Sequence, residues 1–415
     1  MKPIVEFDFF PTGMGKEFGA EMNDEFFDSK RGEPADWDAW EELLDKFMQN
    51  LVDTFGKEEL RTWYFEVWNE PDGWPIEHMG IFHRLYDVFA HVVKSYDPDF
   101  KVGGPACYHI YFLRDFLNHV TYGTNYVTGE TGSPLDFVSY HLYGLSGSWL
   151  DPAPNIIPTV QRFNVELLWV QRLLDNYDLD ESVEFHVNEW GQSSHFQRSS
   201  KDHPELQYRD NERGALFMTK AVDCMFALED NYGLVTSLLG YWGFCWEAKQ
   251  SELFIGNREL TTAGNVPKPI LTGYEMLARL GAERLSSDGP QPGNRTGVLA
   301  TRDGGNRFPI IAYNYNETDD DLTISDQIDL TLTNLSGQQL TVAFYLLDRK
   351  HHNTYRAWER MGSPAEVTPN IAEQLIAEAE LQPTEQRTME IQNGTTKLTV
   401  KLPRHSMMLL EIVAE

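Results

Sequence analysis

Over its first 285 residues the chain alternates short apolar runs of strand length with longer amphipathic stretches, and that alternation restricts its fold more than any other feature. The strand candidates are PIVEFDFF (3–10), WYFEVWNE (63–70), KVGGPA (101–106), DFVSYHLYG (136–144), VEFHVNEWG (183–191) and LLGYWGFCWE (238–247). Between them, WDAWEELLDKFMQNLVDTF (37–55), HMGIFHRLYDVFAHVVKSY (78–96), FNVELLWVQRLLDNY (163–177) and NERGALFMTKAVDCMFALED (211–230) repeat their apolar positions at helical spacing. Trp40, Leu43, Leu44, Phe47 and Leu51 illustrate the stripe. Strand and helix in regular succession predict a parallel sheet with crossover helices.

Each strand with its helix has the length of one β/α unit of a TIM-type barrel, a fold whose active sites gather at the carboxyl ends of the strands. Six strands can be counted where eight close a barrel. After the Ser, Gly and Pro-rich stretch SSDGPQPGNRTG (286–297) the pattern changes to RFPIIAYNYN, IDLTLTN, LTVAFYLLD, RTMEIQN, KLTVKL and SMMLLEIVAE, separated by turn residues. One helix is expected at 368–380 among them. The expectation is therefore an α/β TIM-type barrel over 1–285 with two of its eight strands not visible, followed by an antiparallel β-sandwich over 286–415.

Acidic residues outnumber basic ones 64 to 34, a formal charge of −30, which argues against nucleic acid or an anionic membrane as partner. A neutral sugar fits better. Screening of self-repulsion also makes tolerance of high salt an expectation for so acidic a surface. The three cysteines, Cys107, Cys224 and Cys245, follow no metal-ligand or disulfide pattern, and the start MKPIVEFDFFPTGMG lacks the layout of a secretory signal. A reduced, cytoplasmic setting is expected, with no membrane association and the sequons at Asn316, Asn334 and Asn393 incidental.

WYFEVWNEP places Glu70 at the end of a strand otherwise rich in Trp, Tyr, Phe and Val, and VEFHVNEWG places Glu189 in the same situation three strands later. An acid at the end of an apolar strand is either paired or used in chemistry. Each of the two follows an asparagine, and both are expected at one rim of the barrel, facing across one pocket. Paired carboxylates flanking a glycosidic bond suffice for its hydrolysis, one protonating the leaving oxygen and the other attacking the anomeric carbon or activating water. No metal or cofactor is needed for that chemistry.

The ordered set KPIVEFDFFP, FEVWNEPD, VGGPA, SYHLYG, FHVNEWGQSS, GYWGFCWE, GNVPKPILTGYEMLARLG and LDRKHHNTYRAWERMGSP resembles glycoside hydrolase family 39, which holds β-xylosidases and α-L-iduronidase, and it is most similar to the bacterial β-xylosidases. The resemblance implies Glu70 as general acid/base and Glu189 as nucleophile of a retaining mechanism. It also implies Asn69 as the residue that bonds the sugar 2-hydroxyl and His141 and Tyr143 as groups lining the catalytic subsite. Trp242 and Glu247, with Glu252 as rival to the latter, correspond to a sugar platform and a hydroxyl-binding acid. The implied activity is exo-acting release of xylose from xylo-oligosaccharides or aryl xylosides. Alternatives are a carbohydrate-binding pseudoenzyme, or a related glycosidase acting on arabinosides or uronides.

Family members normally carry two further β/α units before the KPIVEFDFF-like strand. An open barrel exposes strand edges and interior, which proteins cover by pairing or packing. A homo-oligomer, most simply a symmetric dimer over the gap, is expected on that ground.

Overall fold

The computed structural model describes the chain except residues 1, 12, 18–31, 75–77, 146–156, 195–198, 244–251, 290–293 and 318–320. The described residues group into two compact units, Met1–Leu142 with Glu166–Trp190 and Tyr232–Tyr241, and Tyr143–Val165 with Gly191–Asn231 and Trp242–Glu415.

The first unit is built on a six-stranded sheet taken in chain order: β1 (Ile4–Phe7), β2 (Tyr64–Val67), β3 (Lys101–Cys107), β4 (Phe137–Tyr143), β5 (Glu184–Gly191) and β6 (Thr236–Tyr241). Its strands pair in parallel, with Glu6 of β1 opposite Glu66 of β2. The sheet remains open, with β1 and β6 as its edges. It is an incomplete barrel, as the strand count predicts. Helix α1 (Trp37–Phe55) starts where the Asp36 carboxylate accepts the amides of Asp38 and Ala39, and it buries Trp40, Leu44 and Met48. α2 (Met79–Tyr96) and α3 (Ile110–Tyr122) turn apolar stripes inward in the same way. α4 (Val160–Leu174) lies three residues earlier than the apolar spacing predicts. At Gly240 an added Cβ would lie 2.4 Å from the Asn188 carbonyl oxygen, so only glycine lets β6 approach β5 there.

The second unit contains α5 (Glu212–Tyr232), α6 (Pro269–Ala278) and an antiparallel β region. The region's strands are β7 (Glu283–Arg284), β8 (Thr296–Arg302), β9 (Ile310–Asn314), β10 (Ser325–Leu332), β11 (Gln339–Leu347), β12 (Glu385–Glu390), β13 (Thr396–Pro403) and β14 (Ser406–Ala414). A six-stranded sheet ordered β7-β8-β9-β14-β11-β12 and the ribbon β10-β13 share one core, in which Ile328, Leu398, Val400 and Leu402 of the ribbon meet Ile310, Leu340, Val342 and Leu410 of the sheet. This is the expected sandwich. β8 overlaps the last two residues of the stretch read as a linker, and its buried positions are Gly297, Leu299 and Thr301. Helices α7 (Thr354–Arg360), capped by Asn353, and α8 (Pro369–Ala379), capped by Thr368, stand between strands.

Within this unit Lys268 and Asp210 pair at 2.7 Å with both side chains wholly buried. Burial pushes the lysine down and the carboxyl up, and the pairing opposes both. The Gly256 amide donates to Asp210 at 2.6 Å, and Lys268 donates to the Asn257 carbonyl at 2.9 Å. Lys268→Met should strand the carboxylate and lower the free energy of unfolding by about 3–5 kcal/mol, read from urea midpoints. Adding Asp210→Asn should restore part of the loss.

Candidate active site

The two-residue period of a strand puts Tyr64 and Glu66 of β2 on one face, as it does Phe137, Ser139 and His141 of β4 and Glu184, His186 and Asn188 of β5. These side chains stack in three polar tiers. In the lowest, Glu184 accepts from Lys101 Nζ and from the Tyr64 hydroxyl, each at 2.6 Å, and lies 3.0 Å from His186 Nε2. Burial alone would raise this carboxyl, but the bonds from Lys101, Tyr64 and His186 hold it down at about 2.

The middle tier is Glu66, buried with 1% of its surface exposed. Ser139 Oγ donates to it at 2.8 Å and Asn188 Nδ2 at 2.6 Å. Ser139 Oγ in turn accepts the Ala106 amide at 2.8 Å, which carries the link to β3. Burial pushes Glu66 up, against Ser139, the charge of His141 and Asn188.

The upper tier holds Glu70, His141 and Glu189. β2 ends at Val67, and the chain leaves through Trp68 at φ 71° and Glu70 at φ 49°, ψ 54°, left-handed conformations that side-chain-bearing residues seldom adopt. The turn is held by the Trp68 amide on the Phe7 carbonyl at 3.1 Å and the Glu70 amide on the Ala106 carbonyl at 3.0 Å. Trp68, fully buried, packs against Phe10 and Trp74 with ring centroids 4.7 and 5.1 Å away. His141 Nδ1 lies 3.0 Å from Glu70 Oε1 and 3.7 Å from Glu189 Oε1. Donor atoms of all three residues fall within 4.8 Å of one another, close enough to hold a cation among them. A proton on the imidazole serves the same electrostatic purpose. Burial by itself would lower His141, yet Glu189, the hydrogen bond and charge of Glu70, and the charge of Glu66 push it up to about 9.

Asn69 sits in the turn immediately before Glu70. Tyr143 and Trp242 belong to the second unit, where their rings meet edge to face at 6.2 Å and Arg258 covers the Trp242 ring at 3.1 Å. Glu247 lies outside the described residues, and its rival Glu252 is engaged by Lys201. The sequence reading passed over Glu66, an acid inside the apolar run WYFEVW whose partners Ser139 and Asn188 lie far along the chain.

A parallel α/β barrel sheet with two carboxylates converging at the carboxyl ends of its strands is the arrangement that glycoside hydrolysis uses, and the comparison with known families places the chain in that class. The chain belongs to the glycosyl hydrolases of family 39, whose family model matches residues 1–395. It is 24% identical to a β-xylosidase of Caldicellulosiruptor saccharolyticus over 99% of this chain and 80% of that protein. It is also 24% identical to the α-L-iduronidase of Mus musculus, over 78% of this chain and 54% of that protein. Among solved structures, a monomeric β-xylosidase from Caulobacter crescentus CB15 superposes with a TM-score of 0.79 at 24% identity, covering 100% of this chain and 81% of that one.

That last likeness corrects the expected dimer, since the similar Caulobacter enzyme is monomeric. The physical reason lies in the edge strand. β1 has four residues, with Lys2 paired to Glu59 before it and the exposed Asp8 after it, the kind of short edge bounded by charge that resists strand pairing without a partner subunit. No helix among the described residues is long and apolar enough to cross a membrane.

Because the His141 imidazole is raised from 6.5 to about 9 in the folded state, its stabilising contribution is complete below pH 6.5 and lost as pH climbs through about 9. The urea midpoint should therefore fall between pH 7 and 9.5 more steeply in the wild type than in His141→Gln. In Glu66→Gln the imidazole should titrate below the wild-type value, as followed by nitrogen NMR of labelled histidine. An unmoved titration would detach Glu66 from His141.

Proposed function

We propose that this glycoside hydrolase is a retaining, exo-acting β-xylosidase in which Glu70 is the acid/base and Glu189 the nucleophile. The observation that carries the reading is the convergence of Glu70, His141 and Glu189 oxygens and nitrogen within 4.8 Å. Retaining enzymes place their carboxyl groups about 5–5.5 Å apart, whereas inverting ones need about 6.5–9.5 Å to admit a water between them. An oxygen of Glu70 and one of Glu189 within 4.8 Å of each other leave little room for a water between them, which favours direct attack by a carboxylate.

In the first step an oxygen of ionised Glu189 bonds to the anomeric carbon as the glycosidic C–O bond breaks, and the Glu70 proton passes to the departing oxygen. In the second, Glu70, now ionised, takes a proton from water while the water oxygen displaces Glu189 from that carbon. Two inversions restore the starting configuration. His141, protonated and bridging both acids, holds their relative position, and Asn69 takes the sugar 2-hydroxyl. Sugar-contacting roles for Tyr143, Trp242 and Glu247 rest on the sequence resemblance alone. We assign catalysis to 1–285 and an accessory role to 286–415, and we infer a reducing compartment such as the cytoplasm from the buried free thiols of Cys107 and Cys224.

Xylose as the released sugar is supported by the names of the bacterial relatives. The likeness to α-L-iduronidase supports a uronide as the second reading. Nitrophenyl β-xyloside and an aryl α-L-iduronide, assayed side by side, separate the two. On the cleaved substrate Glu70→Gln should reduce turnover by about 10²–10⁴-fold, and Glu189→Gln by at least as much. Proton NMR of the first-formed sugar should show the substrate's own anomeric configuration. The opposite anomer, or unchanged turnover in either variant, would refute the assignment.

A further inference from the structure

Directly after β3, three aromatic side chains stand exposed beside the Glu70 turn. Tyr108 and Tyr111 keep 37% and 40% of their surface open, and the His109 side chain 42%. The rings form a continuous row, Tyr108 to His109 at 4.1 Å between centroids and His109 to Tyr111 at 5.0 Å. Solvent-facing aromatics in a row are usually covered by something when a protein works.

What fixes the row is Asp72, two residues past Glu70. Its side chain has no exposed surface, and its Oδ2 accepts the amides of Tyr108 at 2.9 Å and His109 at 2.7 Å and lies 3.0 Å from His109 Nδ1. The Tyr111 hydroxyl reaches the Asp72 carbonyl at 3.4 Å, and the Tyr140 hydroxyl donates to the Tyr108 carbonyl at 2.9 Å. On the other side the Tyr108 hydroxyl lies 3.9 Å from where a Cβ on Gly73 would stand, so the ring runs along the turn that begins at Glu70. The Glu70 amide is itself bonded to the Ala106 carbonyl, two residues before Tyr108. One buried carboxylate thus makes the catalytic turn and the aromatic row a single rigid piece.

We propose that Tyr108, His109 and Tyr111 form the platform for the leaving-group sugar. The inference rests on Glu70 being the acid. A general acid must touch the departing oxygen, so whatever is attached to that oxygen extends over the acid's side of the site. A pyranose offers a flat face of C–H groups to an aromatic ring and a rim of hydroxyls, which the two phenols and the imidazole match. Ring contact made on the glycosidic transition state then raises the rate for sugar aglycones above that for leaving groups too small to reach the row.

The test compares xylobiose, whose leaving group is a sugar, with methyl β-xyloside, whose leaving group needs protonation by the same acid but is too small to reach the row. For both substrates kcat/KM reports the step that breaks the glycosidic bond. The ratio of the two values should fall about three- to tenfold in Tyr108→Ala and again in Tyr111→Ala, and by less in Tyr111→Phe, which keeps the ring and loses only the phenol. Being a ratio within one enzyme, it is insensitive to the fraction of a variant that folds. Equal losses on both substrates, or a wild type that cleaves the methyl glycoside and refuses xylobiose, would overturn the platform while leaving the glycosidase reading intact. A wild type inert towards both would remove the xylosidase reading and the platform with it.

Discussion

A carboxylate sealed in the middle of a parallel sheet is the constraint on which the rest of this site depends. Glu66 costs desolvation energy that a branched aliphatic at the same position would not, and an unpaired acid there would be worse by several kcal/mol. It is tolerated because Ser139 and Asn188 reach it from β4 and β5, and Ser139 relays the contact to the Ala106 amide on β3. Satisfying one acid therefore sets four strands in register. A shift of β5 by one residue would turn Asn188 away and carry Glu189 to the wrong position.

Barrel interiors are ordinarily tiers of Val, Ile and Leu. Here the tiers carry ionisable groups instead, from Lys101 with Glu184, to Glu66, to His141 with Glu70 and Glu189. Each anion lies within a tier of a cation, and His141 draws its high proton affinity from acids both above and below it. The result is a site whose geometry is fixed before any sugar arrives, since the groups that would otherwise reorganise are already bonded to one another. The left-handed backbone at Trp68 and Glu70 belongs to the same economy, being a strained turn kept in place by the buried Trp68 ring and two backbone bonds to neighbouring strands.

The β/α alternation and most element boundaries are legible in the sequence because burial of one helix stripe and of both strand faces leaves a periodic trace, as at Trp37–Phe55. The meeting of Glu70 and Glu189 is legible for a related reason, since both close apolar strands where a polar residue has no structural excuse. Glu66 is not, because its partners Ser139 and Asn188 are distant in sequence and each is unremarkable by itself. Nor is the aromatic row, whose meaning comes from Asp72 accepting two amides some 36 residues further along. Edge exposure misled the reading of assembly because the sequence shows that a sheet is open but not that its first strand is too short and charged to invite another.

The division of labour between the two acids can be argued from access to solvent. Double displacement asks one carboxyl to give up a proton and later take one from water, and asks the other only to attack and leave. Glu70 keeps 35% of its side chain exposed and Glu189 14%. Under the proposed assignment, the more open acid is the one that trades protons with solvent between half-reactions, and the more enclosed one is the less solvated nucleophile. His141 strengthens the contrast. It lies 3.0 Å from Glu70, within bonding distance, and 3.7 Å from Glu189, where it offers charge compensation.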